Sequence, residues 1–294
     1  MVEPIQYVLS GILLGGVYSV VAIAFIVIYR STRVFNFAQG ELVMIGGFLC
    51  WSVLSYTPLP WWLAVIVAMG ATAGVGLLLE RLVIRPLIGQ PLFTIVMVTI
   101  ALILVLRGLV IMIWGTFPRR FTPILGETAL SVGPFAFSPS FLFGLIIVGL
   151  IVAGLWWLFS KTMVGLTMSA VAEDHQVSRA LGISVKQSMS IAWAIAGAIS
   201  VIAAITWLSG RSIGLPAADI GLRALPCALL AGLQSVPGAL VAGIIVGIAE
   251  SLAMGYVDPL TEGGMSLVTP FLIMLLVLII RPEGLFGWKR IERL

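Results

Sequence analysis

Charged and amide side chains set inside apolar runs are where this sequence could do chemistry. Glu41 follows Gln39 and Gly40 at the head of such a run, with Asn36 just before them. Arg107 lies about two-thirds of the way through the run 92–114, and Glu250 stands in GIIVGIAESLAMG. An ionised group in hydrocarbon is costly, so such residues face a protein interior or a wet path. Glu41 reads in two ways: as a polar wall beside a path or the cap of a broken helix, or as a first-turn carboxylate favouring the exposed amides of a helix start. Arg107 either extends its stem towards an interface or pairs with a carboxylate, Glu250 being one partner within the sequence. Glu250 carries the same two readings.

These groups do not make a catalytic constellation. No HExxH, phosphate-cradling GxxxxGK[ST] or strand-borne dinucleotide fingerprint occurs. The only histidine is His175, so no histidine-based triad or metal cluster forms within one chain. Cys50 and Cys227 lie in apolar stretches without metal spacing and read as small buried hydrophobes. The expectation is no catalytic residue, no metal and no cofactor bound by this chain.

The elements that hold these residues follow from composition. Of 294 residues, 61% are hydrophobic and 10% charged, whereas soluble domains average about 45–50% and about 25%. So much apolar surface exceeds what one soluble core can hide, and a hydrocarbon solvent removes the difficulty. The net charge of +4 does not point to nucleic acid, because the basic residues sit between apolar runs with no basic stripe. The N-terminus lacks the basic region of a secretory signal, so the first run reads as a retained span.

The predicted fold is therefore an all-α polytopic membrane protein, a single membrane domain over residues 1–294. Apolar runs cover 5–29, 37–56, 61–79, 92–114, 141–159, 188–208, 238–255 and 265–280. A ninth, 222–236, is short of the roughly 20 residues of a crossing and reads as a short, broken or re-entrant helix, leaving eight or nine segments. With nine, Arg30, Arg33, Arg81, Arg85, Lys161, Arg179, Lys186, Arg281, Lys289, Arg290 and Arg293 share one side, against Arg119, Arg120 and Arg211 on the other. Basic loops stay inside, so the N-terminus is expected outside and the C-terminus in the cytoplasm. Residues 115–140, with Pro118, Pro123 and Pro134, form an external folded loop or small hairpin.

Between spans, 160–187 is the least apolar connector. Ala170, Val171, Ala180 and Leu181 can form an apolar stripe broken by Glu173, Asp174 and Arg179; Gly182 ends that helix and Ser184 can cap the next. The segment reads either as a displayed amphipathic helix for a cytoplasmic partner or as a solvated loop. Three glycine pairs at four-residue spacing, Gly11–Gly15, Gly70–Gly74 and Gly243–Gly247, are candidate close-approach faces between helices.

Four stretches in order resemble the permease subunits of bacterial branched-chain amino acid ABC transporters of the LivH type: GGVYSVVAIAFIVIYRSTRVFNFAQGELVMIGGF at 15–48, ERLVIRPL at 80–87, GLTMSAVAEDHQVSRALGIS at 165–184 and ALLAGLQSVPGALVAGIIVGIAES at 228–251. The resemblance implies a multi-pass inner-membrane importer subunit without its own ATPase. It implies as partners a second, LivM-like permease, two cytoplasmic ATP-binding subunits carrying ATP and magnesium, a periplasmic solute-binding protein and membrane lipid. Ala172, Glu173, Asp174, Arg179, Leu181 and Gly182 would then dock into an ATPase groove.

The sequence departs from that family at Gln39, where histidine is common, at Ala231–Gly232, where two glycines are, and at Pro226 and Cys227. The departures leave the transport class intact and widen the solute to branched-chain amino acids or a related urea, amide or aromatic acid. Alternating access would need a passage, with Asn36, Gln39 and Glu41 as candidates at one helix break and Gln234 and Ser235 at another. The rival is an autonomous secondary transporter or channel, working without ATPase partners; a secondary transporter would need its own ion-coupling groups within the spans.

Overall fold

A computed structural model describes residues 2–121, 130–132, 135–137, 139–173, 175–208, 211–261 and 263–287. Among these, eleven α-helices follow in order: α1 Val2–Thr32, α2 Gln39–Tyr56, α3 Trp61–Leu79, α4 Leu92–Trp114, α5 Pro139–Lys161, α6 Met163–Glu173, α7 His175–Ala180, α8 Val185–Leu208, α9 Asp219–Leu230, α10 Val236–Leu252 and α11 Met265–Ile280. Among the described residues, six helical stretches are long and apolar enough to cross a membrane: Pro4–Thr32, Trp61–Leu87, Leu92–Trp114, Gly144–Lys161, Val185–Leu208 and Val236–Leu260. The all-α membrane architecture is as expected.

The starts of α3, α4 and α11 fall where the sequence puts them, because each directly follows a proline or a glycine: Pro60, Pro91 and Gly264. The short segment expected at 222–236 is α9, shifted towards the N-terminus, and Gly232 and Leu233 (φ 76° and 61°) break the chain before α10. Twelve residues rise about 18 Å, a little over half of a hydrocarbon core. Pro226 is accommodated inside it.

In the loop expected at 115–140, β2 Leu130–Val132 and β3 Phe135–Phe137 pair as a small antiparallel hairpin. The chain also makes a pairing the sequence does not announce: β1 Arg119–Arg120 lies antiparallel to β4 Ser212–Ile213. It ties the end of α4 to the end of α8.

The core is built round α1, whose residues from Val17 to Ile28 are buried on every side. α10 runs antiparallel to it at backbone contact. A Cβ on Gly11 or Gly15 would strike the backbone of Gly247–Ile248 or Gly243–Ile244, and one on Gly243 or Gly247 would strike α1 in return. Two of the three glycine pairs therefore face each other, as small residues do where helices close on one another in lipid. The third pair, Gly70–Gly74, meets nothing within 4 Å. α4 is lightly packed, burying little beyond Thr99, Leu102, Leu106 and Val110. Cys50 and Cys227 are free and buried.

Candidate functional site

The turn between α1 and α2 builds the first part of the site. Thr32 Oγ1 donates to Ile28 O at 2.8 Å and ends α1, and Arg33 takes up a left-handed conformation (φ 56°) that a side chain rarely adopts. Arg33 is held there by the connector: its Nε donates to Ala172 O at 2.6 Å and its Nη2 to Glu173 Oε2 at 3.0 Å. Three residues on, Asn36 Oδ1 accepts from Ala38 N at 3.1 Å, a side-chain turn that leads the chain into α2. Asn36 Nδ2 reaches Gln39 Oε1 at 3.4 Å, and Gln39 Nε2 donates to Ser200 Oγ on α8 at 2.8 Å. All three side chains are buried.

The second part forms where the starts of α2 and α9 touch. A Cβ on Gly40 would meet the carbonyl of Ala218, and one on Gly221 would meet the backbone of Gly40, so only paired glycines allow this approach. It places Glu41 and Asp219 side by side, with Arg107 of α4 bonded to both. Arg107 Nε lies 2.9 Å from Glu41 Oε1, and its Nη2 lies 3.2 Å from Asp219 Oδ1. Glu41 is 3% exposed, and its Oε2 has no hydrogen-bond partner.

The third part joins α1, α9 and α10. Side chains lean towards a helix's N-terminus, so in the antiparallel pair α1 and α10 Tyr18 and Glu250 lean towards each other. Tyr18 Oη donates to Glu250 Oε2 at 2.7 Å, and Arg223 Nη1 approaches Glu250 Oε1 at 3.5 Å. Arg107 and Glu250, treated above as one pairing within the sequence, thus take different partners. The reason is the α2–α9 contact, which supplies Arg107 with two nearer carboxylates.

Together these groups form a polar belt inside an otherwise apolar bundle, linked through α2 and α9. Asn36 and Gln39 bond to each other, and Glu41, two residues on, bonds to Arg107. Gln234 and Ser235 do not join them. They line a separate cavity of about 270 Å³ with Arg30, Trp156, Phe159 and Ser160, where Ser235 Oγ caps α10 by accepting from Gly238 N at 3.0 Å. Asp219, Arg223, Tyr18 and Ser200 were missed by sequence reasoning. Asp219 and Arg223, four apart at the head of a short apolar segment, were the available signal.

In the connector, Gly182 and Ser184 take the helix-stop and cap positions that their types suggest. Ile183 N donates to Ser178 O and Gly182 N to Arg179 O, the paired bonds of a glycine helix stop, with Gly182 at φ 79°. Ser184 Oγ then accepts from Gln187 N at the start of α8. Glu173 and Leu181 are exposed and Ala172 is buried; Asp174 lies outside the described residues. Nearby, Glu80 accepts both Arg85 Nε (3.1 Å) and Nη2 (2.8 Å) and is also bonded by Ser190 Oγ (2.9 Å), which latches the end of α3 to α8.

Against this geometry, the family model described as "Branched-chain amino acid transport system / permease component" matches residues 7–278. The chain is 25% identical to the high-affinity branched-chain amino acid transport system permease protein BraD of Pseudomonas aeruginosa, over 98% of this chain and 97% of that protein. It is 27% identical to the probable branched-chain amino acid transport permease protein LivH of Methanocaldococcus jannaschii (98% and 95% covered). The high-affinity permease protein LivH of Escherichia coli is 24% identical (98% and 97%). Among solved structures, PsaBC from Streptococcus pneumoniae in complex with Fab is similar at a TM-score of 0.48 and 15% identity over 94% of this chain and 91% of that one, too slight a likeness to carry an argument.

Proposed function

The chain belongs to the family of branched-chain amino acid transport system permease components, which are multi-pass inner-membrane transport subunits rather than enzymes, and from that membership we propose that it is the permease of an ATP-driven importer for branched-chain amino acids or a related small solute. The carrying observation is the family match, which runs nearly end to end over residues 7–278. A permease component implies further components. The partners in this reading are two cytoplasmic ATP-binding subunits that carry ATP and magnesium, a solute-binding protein outside, and a LivM-like second permease.

In this reading nine segments cross: the six long stretches together with α2, α11 and α9, the last extended by the helical turn Leu215–Ala218 that precedes it. The N-terminus is outside and the C-terminus inside. Two observations support it: the β1–β4 pairing gathers Arg119, Arg120 and Arg211 at one end, and the Arg33–Glu173 pair gathers the end of α1 and the connector at the other. The charge asymmetry then sets which end is cytoplasmic.

Residues 160–187 act as the coupling connector, presenting Glu173, Asp174, Arg179 and Leu181 to an ATP-binding subunit, with Ala172 and Gly182 shaping the helices behind them. Arg33 passes movement of the connector to the Asn36–Gln39 turn. Asn36, Gln39 and Glu41 form one wall of the passage, and Gln234 and Ser235 line its cytoplasmic mouth. Selection by the delivering protein lets the passage bind solute weakly, since a conformational equilibrium is moved only by differential affinity for its two states.

The test is purification of this chain from its own membranes followed by reconstitution. Two ATP-binding chains and a second permease should copurify, and vesicles holding them with the solute-binding protein should take up leucine only with ATP inside. Uptake by this chain alone, driven by an ion gradient, would refute the proposal.

A further inference from the structure

Asp219 and Arg223 stand one turn apart on α9, so they share a face. That face is turned away from the packed side of the helix. The Asp219 side chain keeps 51% of its surface exposed and Arg223 31%, and Leu222 beside them is 48% exposed. Arg107, reaching in from α4, keeps 35%. Arg107 lies within the apolar stretch Leu92–Trp114, where a charge facing lipid costs about 2.5–3.5 kcal/mol, so the face it shares with Asp219 and Arg223 opens on water or on another chain.

The existing bonds leave capacity of both signs. Asp219 has one contact, at 3.2 Å, and the contact of Arg223 with Glu250 is long at 3.5 Å. Glu41 Oε2 is buried without a partner. By formal charge, the three carboxylates Glu41, Asp219 and Glu250 exceed the two guanidiniums Arg107 and Arg223 within the belt. The belt therefore favours a ligand that brings an ammonium, and Arg223 adds a place for a carboxylate.

We infer that this face of α9 is a zwitterion-reading station on the passage, with Asp219 receiving the ammonium and Arg223 the carboxylate of an α-amino acid. The inference rests on the importer reading and narrows it. Urea and neutral amides offer neither charge to these two residues.

The test places a thiol at Leu222→Cys in the complete transporter in membranes and follows its reaction with a membrane-impermeant maleimide. Cys50 and Cys227 are buried, and the unsubstituted transporter gives the background. A thiol in water reacts. Leucine at about ten times its dissociation constant should slow the reaction about tenfold, by occupancy alone. Leucinamide, which lacks the carboxylate, and N-acetylleucine, which lacks the ammonium, should protect far less. Protection by leucine should vanish with Asp219→Asn and survive Asp219→Glu.

An unreactive thiol means that lipid or a docked chain covers the face, and overturns the station. So does a thiol that all three compounds, or none, protect. ATP-driven leucine uptake by the unsubstituted transporter, measured in parallel, separates the two readings. Its absence overturns the station and the branched-chain amino acid form of the importer reading together, whereas uptake beside an unprotected thiol overturns the station alone.

Discussion

Arg107→Gln should destabilise the chain through Glu41 rather than through Asp219. The two arms of Arg107 differ in surroundings. Glu41 is 3% exposed, whereas Asp219 is 51% exposed and can be solvated once the guanidinium is gone. Losing the cation from a buried carboxylate costs about 3–5 kcal/mol, and an exposed pair contributes at most about 1 kcal/mol. At about 2 °C per kcal/mol, the low end of the slope suited to a chain this long, the midpoint should fall by about 6–10 °C. The assay is thermal unfolding of the purified chain in detergent, followed by loss of the monodisperse peak. Adding Glu41→Gln should recover most of the loss, because a neutral amide needs no cation, while adding Asp219→Asn should recover little. An unchanged midpoint in Arg107→Gln would refute the reasoning. So would a double variant with Glu41→Gln that is no more stable than the single one.

Gly247→Leu should abolish a folded yield, because its side chain would enter the backbone of α1, whereas Gly74→Leu should shift stability by no more than about 0.5 kcal/mol; detergent-extracted yield and melting midpoint distinguish them. Gln39→Leu strips Ser200 of its donor and Asn36 of its acceptor, which should cost about 1–3 kcal/mol and impair solute flux in vesicles; wild-type flux would remove Gln39 from the passage. Reversing Glu173 and Asp174 together to lysine should leave insertion intact and uncouple ATP hydrolysis from uptake. Unchanged coupled uptake would defeat the docking of the connector.

Much of the frame was legible because membrane helices announce themselves by length and flanks. Trp61, Leu92 and Met265 begin helices directly after Pro60, Pro91 and Gly264, and each of those punctuators is visible in one dimension. The same holds for Gly182 and Ser184 in the connector, whose effects are local. The partners of Arg107 were not legible. They depend on the approach of Gly40 to Gly221, far apart in sequence, and neither glycine belongs to a spaced pair. Nor could spacing distinguish Gly70–Gly74 from the other two pairs, since an identical motif gives no sign of whether a neighbour arrives. Asp219 and Arg223 show in one dimension only as opposite charges four apart, while their importance comes from which side of α9 is left uncovered.

The seam between α1 and α10 bears on how a transporter of this kind can move. Sliding one helix past another needs side chains that can exchange one socket for the next, and here main chain lies on main chain, with Ser19 Oγ bonded to Gly15 O at 2.6 Å beside the crossing. Such a joint has no second resting position a turn away. α1 and α10 must travel as one spar, and the swing that opens either mouth falls to lightly held elements, α4 among them, hinged on whatever grip Arg107 keeps.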